Sequence, residues 1–139
     1  MNISLSTFGK YEVDLQDNSR TYPVYQNEEL VALKRFQFDP KQYNMRSLTG
    51  NSISPLYCEF FGQRLFKTGG RDVIVTDSEM DCMRVYEALG QTVPVVSSLF
   101  GTVGLSRQYL ANKEFLDSFE NVYLFQLEED KDFMKDVLP

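Results

Sequence analysis

Three carboxylates fall within five residues at the end of a short apolar run. Asp77, Glu79 and Asp81 follow "DVIVT" (72–76) in the stretch "DVIVTDSEMD". Side chains of this type hold magnesium or move a proton, provided that more oxygen ligands arrive from a separate element. "EED" at 128–130 offers such ligands in Glu128, Glu129 and Asp130. The same spacing also suits a helix start, with Ser78 as N-cap and Glu79 and Asp81 in a first turn that the helix dipole makes favourable to negative charge. Other chemistry is narrowed by composition. The chain has no histidine and two cysteines, Cys58 and Cys82. Histidine-dependent nucleophile arrangements and a structural zinc set are excluded. Carboxylates, lysines, hydroxyls and a hard metal remain.

The elements that must position these acids are legible as a change of rhythm near residue 70. "DVIVT", "VPVVSS" (93–98) and "NVYLFQL" (121–127) are short apolar runs of the kind that forms strands buried on both faces. Between them, "SEMDCMRVYEALG" predicts a helix with Cys82, Met83, Tyr86 and Leu89 on one face and Gly90 as its stop. "LFGTVGLS" reads as a glycine-containing loop, "SRQYLANKEFLDSFE" (106–120) as a second helix and "EEDKDFMKDVLP" as a polar helical tail. A β-α-β-α-β-α order implies parallel strands with right-handed crossovers. Sites in such sheets lie beyond the carboxyl ends of the strands. Asp77, residues 97–101 and residues 126–130 all fall there. Upstream, "KYEVDL", "TYPVYQ", "LVALKRFQF" and "QYNMRSL" predict a small β-rich subdomain. The predicted organisation is therefore residues 1–70, β-rich, and residues 71–139, an α/β parallel sheet flanked by helices.

The net charge of −6 is unevenly placed. Residues 1–70 hold eight basic and seven acidic side chains, whereas residues 71–139 hold six and thirteen. Within residues 30–70 six basic residues face two acids, so a polyanion would prefer this segment. Lys34, Arg35, Lys41 and Arg46 are the candidate phosphate contacts. Phe36, Phe38 and Tyr43 are either stacking surfaces or core. No apolar run approaches the roughly 18 residues of a membrane span. The N-terminus lacks the pattern of a signal peptide, and no Gly-x-x-x-x-Gly-Lys-Ser/Thr phosphate loop is present.

The ordered set "DVIVTDSEMD … VPVVSSLFG … FENVYLFQLEED" resembles the TOPRIM domain, the topoisomerase-primase fold. The likeness is to the primase half of phage primase-helicases and of the mitochondrial replicative helicase Twinkle. It extends upstream through "LVALKRFQFDPKQYNMRSLTG" and "FFGQRLFKTGGRD" and covers roughly residues 20–139. In catalytic members the first strand ends in Glu-Gly-x-x-Asp and the third in a magnesium-binding Asp-x-Asp. Here Asp77 stands at the Glu position, Ser78 at the Gly and Asp81 at the trailing Asp. Leu127 and Glu129, or Gln126 and Glu128, stand at the Asp-x-Asp positions.

The resemblance thus implies a DNA-replication domain with degenerate motifs. Asp77 and Asp81 are its vestigial catalytic candidates, and Asp77 with Glu129 its candidate metal ligands. It would be non-catalytic or weakly catalytic, bind single-stranded DNA or brace a helicase, and need no cofactor, with Mg2+ required for any activity that remains. A Mg-dependent primase or nuclease, and a protein-interaction module, stay open as alternatives. Bacterial-host cytoplasm and mitochondrial matrix both fit the resemblance, and a helicase domain or another replication protein is the implied partner.

Overall fold

The computed structural model describes residues 3–126. Chain order is α1 (Leu5–Lys10), β1 (Asp14–Gln16), β2 (Ser19–Gln26), β3 (Glu29–Phe38), β4 (Lys41–Ser47), two short 3-10 turns, β5 (Asp72–Thr76), α2 (Glu79–Ala88), β6 (Val95–Ser97), α3 (Gly101–Ala111), α4 (Lys113–Asp117) and β7 (Asn121–Phe125). The first four strands form an antiparallel meander, β1-β2-β3-β4. The later three form a parallel sheet in the order β6-β5-β7. The α/β architecture expected of a TOPRIM-like sheet preceded by a β-rich segment is the one observed.

β5 is central because it is covered on both faces, with Ile74 packed against one core and its two valines in the other. Val73 and Val75 are buried with Leu105, Phe115, Leu116 and Phe119 of the α3–α4 layer. Across the sheet, α2 buries Cys82, Met83 and Tyr86 against Tyr11, Tyr22, Val24 and Ala32 of the β-rich segment. This second core crosses residue 70 and joins the two sheets. The outer edge of β6 is closed by reciprocal backbone bonds between Phe61 and Ser97 at 2.8 and 3.1 Å. Both cysteines are buried and free.

Several local expectations differ from the structure. "KYEVDL" is not a strand throughout: Ser4 caps α1 by accepting from the Thr7 amide, and strand begins only at Asp14. Tyr11, just past that helix, turns inward and donates to the Val95 carbonyl at 2.7 Å. "LFGTVGLS" is not a loop, because α3 begins at Gly101. Gly104 belongs in that helix, since a Cβ there would lie 2.8 Å from Leu56 Cδ2. The single helix predicted from 106 to 120 breaks at Asn112, whose side-chain amide binds the Cys58 and Gln108 carbonyls. Leu89, placed on the buried face of α2, is 42% exposed. β7 is an edge strand among the described residues, with Tyr123 and Phe125 half-exposed, rather than buried on both faces.

Candidate functional site

β5 delivers its acids where the strand ends and α2 begins. Ser78 has extended backbone angles, φ −147° and ψ 151°, and its Oγ accepts from the Asp81 amide at 3.1 Å. This N-cap satisfies a donor that the first helical turn leaves without a partner. Asp77, Glu79 and Asp81 are each less than a tenth exposed. Such burial is unusual for carboxylates unless they are paired. Asp81 accepts from Arg84 at 3.3 Å, one helical turn along.

Glu79 has the most specific partner. Its Oε2 lies 2.6 Å from Lys34 Nζ, with both side chains buried. The same ammonium donates to the Leu99 carbonyl. The rings of Tyr43 and Phe100 lie over it at 5.5 and 5.6 Å. The pair joins β3 to the start of α2, across the two sheets. Burial pushes the Glu79 carboxyl above its ordinary range, and the Lys34 charge opposes that rise.

The second strand tip packs against the first. Ser98 N–H donates to the Thr76 carbonyl at 3.1 Å, and Ser98 Oγ to the Gly101 carbonyl at 2.7 Å. Gly101 has φ +57°, and a Cβ there would stand 3.8 Å from the Asp77 carbonyl oxygen. Gln108 holds the loop from behind: its Oε1 accepts from the Leu99 amide while its Nε2 reaches the Cys58 and Glu59 carbonyls. The hydroxyls of Ser97 and Ser98 are thus spent on backbone carbonyls. At the third tip the described chain reaches Gln126. Leu127, Glu128, Glu129 and Asp130, and the predicted helical tail, lie outside the described residues.

Among the described residues the β5 tip offers magnesium a narrow donor set, and the candidate ligand Glu129 lies outside them. Glu79 is engaged by an ammonium, Gln126 presents an amide, and Asp77 and Asp81 come from one strand–helix junction. Magnesium needs hard oxygen ligands in near-octahedral array. No group of three acidic, histidine or cysteine side chains among the described residues is arranged to hold a metal.

The four candidate phosphate contacts separate by register. Cross-strand pairs place Lys34 opposite Tyr22 and Met45, and Lys41 opposite Phe38, on the side of the meander that faces α2 and the strand tips. Arg35 and Arg46 fall on the outer side, around a shallow depression with Asp14, Thr21, Leu33 and Asn44. Lys34 also departs from the surface role expected of it, because its ammonium is buried and paired. Two members of the site are absent from the sequence-based set. Arg20 stacks over Phe36 and Phe38 at 5.1 and 4.7 Å and donates to the Tyr22 hydroxyl at 2.7 Å. Phe100 is the other. The first has a signal in hindsight, since Arg20 and Tyr22 alternate in a strand; the second depends on a loop path.

No family model matches the chain. Solved structures do. The primase fragment of the bacteriophage T7 primase-helicase protein matches with a TM-score of 0.78 and 26% identity, over 99% of this chain and 59% of that one. A structure of bacteriophage T7 lagging-strand DNA polymerase, interacting with primase domains of two gp4 subunits bound to an RNA/DNA hybrid and dTTP, matches with a TM-score of 0.79 and 24% identity. That match covers 99% of this chain and 71% of that one. The chain has the TOPRIM primase-like fold of these phage proteins. The likeness supports a primase-like role in replication.

Proposed function

We propose that this primase-like fold serves a DNA-replication primase–helicase system as a domain with reduced or lost catalysis, binding single-stranded DNA or bracing the helicase. The observation that carries the reading is the Lys34–Glu79 pair at 2.6 Å. A fixed ammonium neutralises one of the three acids at the β5 tip from within the protein. Of the other two acids, Asp81 is held by Arg84 and Asp77 is one methylene shorter than the expected glutamate, and the third tip begins with the amide of Gln126. Among the described residues these two carboxylates come from a single junction, a poor cage for magnesium, while Glu128, Glu129 and Asp130 lie outside the described residues.

Single-stranded DNA is the partner that the basic segment and its aromatics favour, because a sequence-tolerant single-strand binder combines cations with stacking surfaces. Two measurements test the proposal together. Binding of a labelled single strand should weaken steeply as salt rises. Magnesium titration by calorimetry, with primer synthesis on single-stranded template, should give no saturable binding at millimolar metal and no primers. Primers that disappear in Asp77→Ala would establish an active magnesium-dependent primase instead. Absence of DNA binding even at low salt would leave the protein-interaction reading.

A further inference from the structure

The side of the meander that faces the strand tips carries a continuous line of aromatic rings. Phe38 meets Phe36 edge-on at 5.2 Å, and Phe36 meets Tyr43 at 4.8 Å. Tyr43 lies over Lys34 Nζ, which lies in turn under Phe100. The line therefore runs from the β3–β4 hairpin turn to the acids at the end of β5. Three of its members remain substantially in water: Phe38 at 40%, Tyr43 at 61% and Phe100 at 46% exposed. Cations flank it. Arg20 stacks on Phe36 and Phe38, and Lys41 sits directly opposite Phe38.

Register places no carboxylate on this side of β2, β3 or β4 alongside the line. On β2 the side chains are Arg20, Tyr22 and Val24, and on β4 Lys41, Tyr43 and Met45. The outer side differs. Arg35 and Arg46 there share their depression with Asp14 and carry no aromatic ring in it.

From this juxtaposition we infer that a single DNA strand lies along the β3–β4 hairpin on the inward side, its bases stacking on Phe38, Tyr43 and Phe100 and its phosphates meeting Arg20 and Lys41. The inference rests on the single-strand reading proposed above and adds the path. Stacking accepts any base, because every base has a π-face, and a guanidinium held over two rings and tied to the Tyr22 hydroxyl is a pre-positioned phosphate donor. The hairpin is thereby a guide that brings the strand to the β5 tip. The outer arginines are not part of the path.

The test uses the 139-residue chain and two labelled probes of equal length, an oligothymidylate and an abasic deoxyribose-phosphate strand, in fluorescence anisotropy over a salt series. Phe38→Ala and Tyr43→Ala should each raise Kd for oligothymidylate by about five-fold or more, with the salt slope unchanged. Neither should alter binding of the abasic strand. Arg20→Ala and Lys41→Ala should each lower the salt slope by about 0.7 on both probes. Both aromatic positions are exposed, and unchanged circular dichroism and melting would verify that the variants fold. Oligothymidylate binding that ignores Phe38→Ala and Tyr43→Ala but falls in Arg35→Ala and Arg46→Ala would overturn the path and leave the single-strand reading standing. Failure of the unaltered chain to bind either probe at low salt would overturn both.

Discussion

Replacing Lys34 with methionine isolates what the buried pair does for the fold. The substitution keeps a long apolar stem and removes the ammonium, leaving Glu79 in a site where its side chain is 9% exposed. Breaking a buried pair by deleting one partner costs about 3–5 kcal/mol. A second route gives a similar figure. Glu79 can escape by taking up a proton, which from an unfolded pKa of about 4.3 at pH 7 costs about 1.36 kcal/mol per pH unit, or roughly 3.7 kcal/mol. The sign follows from the raised folded pKa of Glu79. Its stabilising contribution is complete below the unfolded value and is lost as pH rises through the folded one. The Lys34 charge opposes the upward shift, so in Lys34→Met the folded pKa climbs further, and across the range between the two folded values the deficit relative to the unaltered chain shrinks as pH falls, by up to about 1.4 kcal/mol per unit.

Urea unfolding followed by circular dichroism, at pH 7.0 and 4.5, reads both effects. The melting temperature at pH 7 should drop by roughly 10 °C. Glu79→Gln in the Lys34→Met background should restore most of the loss, because replacing a whole buried pair is often close to neutral. A Lys34→Met chain within about 1 kcal/mol of the unaltered one at pH 7 would refute the reasoning. So would a deficit that neither acid nor Glu79→Gln relieves.

Three further outcomes follow from the packing. Gly62→Ala should destabilise by about 2 kcal/mol or more, because φ is +86° and the new Cβ would stand 2.5 Å from Tyr11 Cε1; denaturant midpoints measure it. Gln108→Leu should strand the Leu99 amide and the Glu59 carbonyl, while Asn112 still satisfies the Cys58 carbonyl, at about 1–3 kcal/mol for each group left without water, measured in the same way. Glu87 accepts from the Ser4 amide and from Thr7 Oγ1, and these bonds, Ser4 first, hold its pKa down to about 2. The melting-temperature advantage of the unaltered chain over Glu87→Gln should be full above pH 4.5 and vanish as pH falls through about 2.

The parts of the fold that announced themselves were those set by local composition. "DVIVT" is a strand because four β-formers in a row suit a position covered from both faces, and Ser78 caps α2 because its hydroxyl reaches the Asp81 amide. What stayed hidden depended on partners far along the chain. Gly101 and Gly104 look like loop residues until Leu56 is seen packing where a Cβ of Gly104 would stand. Glu79 read as a dipole-favoured first-turn acid, and nothing near it in sequence names Lys34, 45 residues upstream, as its partner. The basic segment was visible as composition, but its division into two sides depends on the β2–β3–β4 register, which one strand's alternation cannot supply alone.

The inward turn of Tyr11 has a consequence for how the chain acquires its shape. Its hydroxyl bonds the carbonyl of Val95, 84 residues later, and its ring stacks on Phe61 and meets Tyr86 edge-on. A polypeptide emerging from the ribosome therefore makes the β-rich first half long before β6 exists to receive Tyr11. Until then Tyr22, Val24 and Ala32 lack the α2 layer that covers them. Contacts of such long range are slow to form, because loop closure must precede the packing that rewards it. Shortening the chain anywhere before residue 95 should thus yield an aggregation-prone fragment rather than a smaller folded unit.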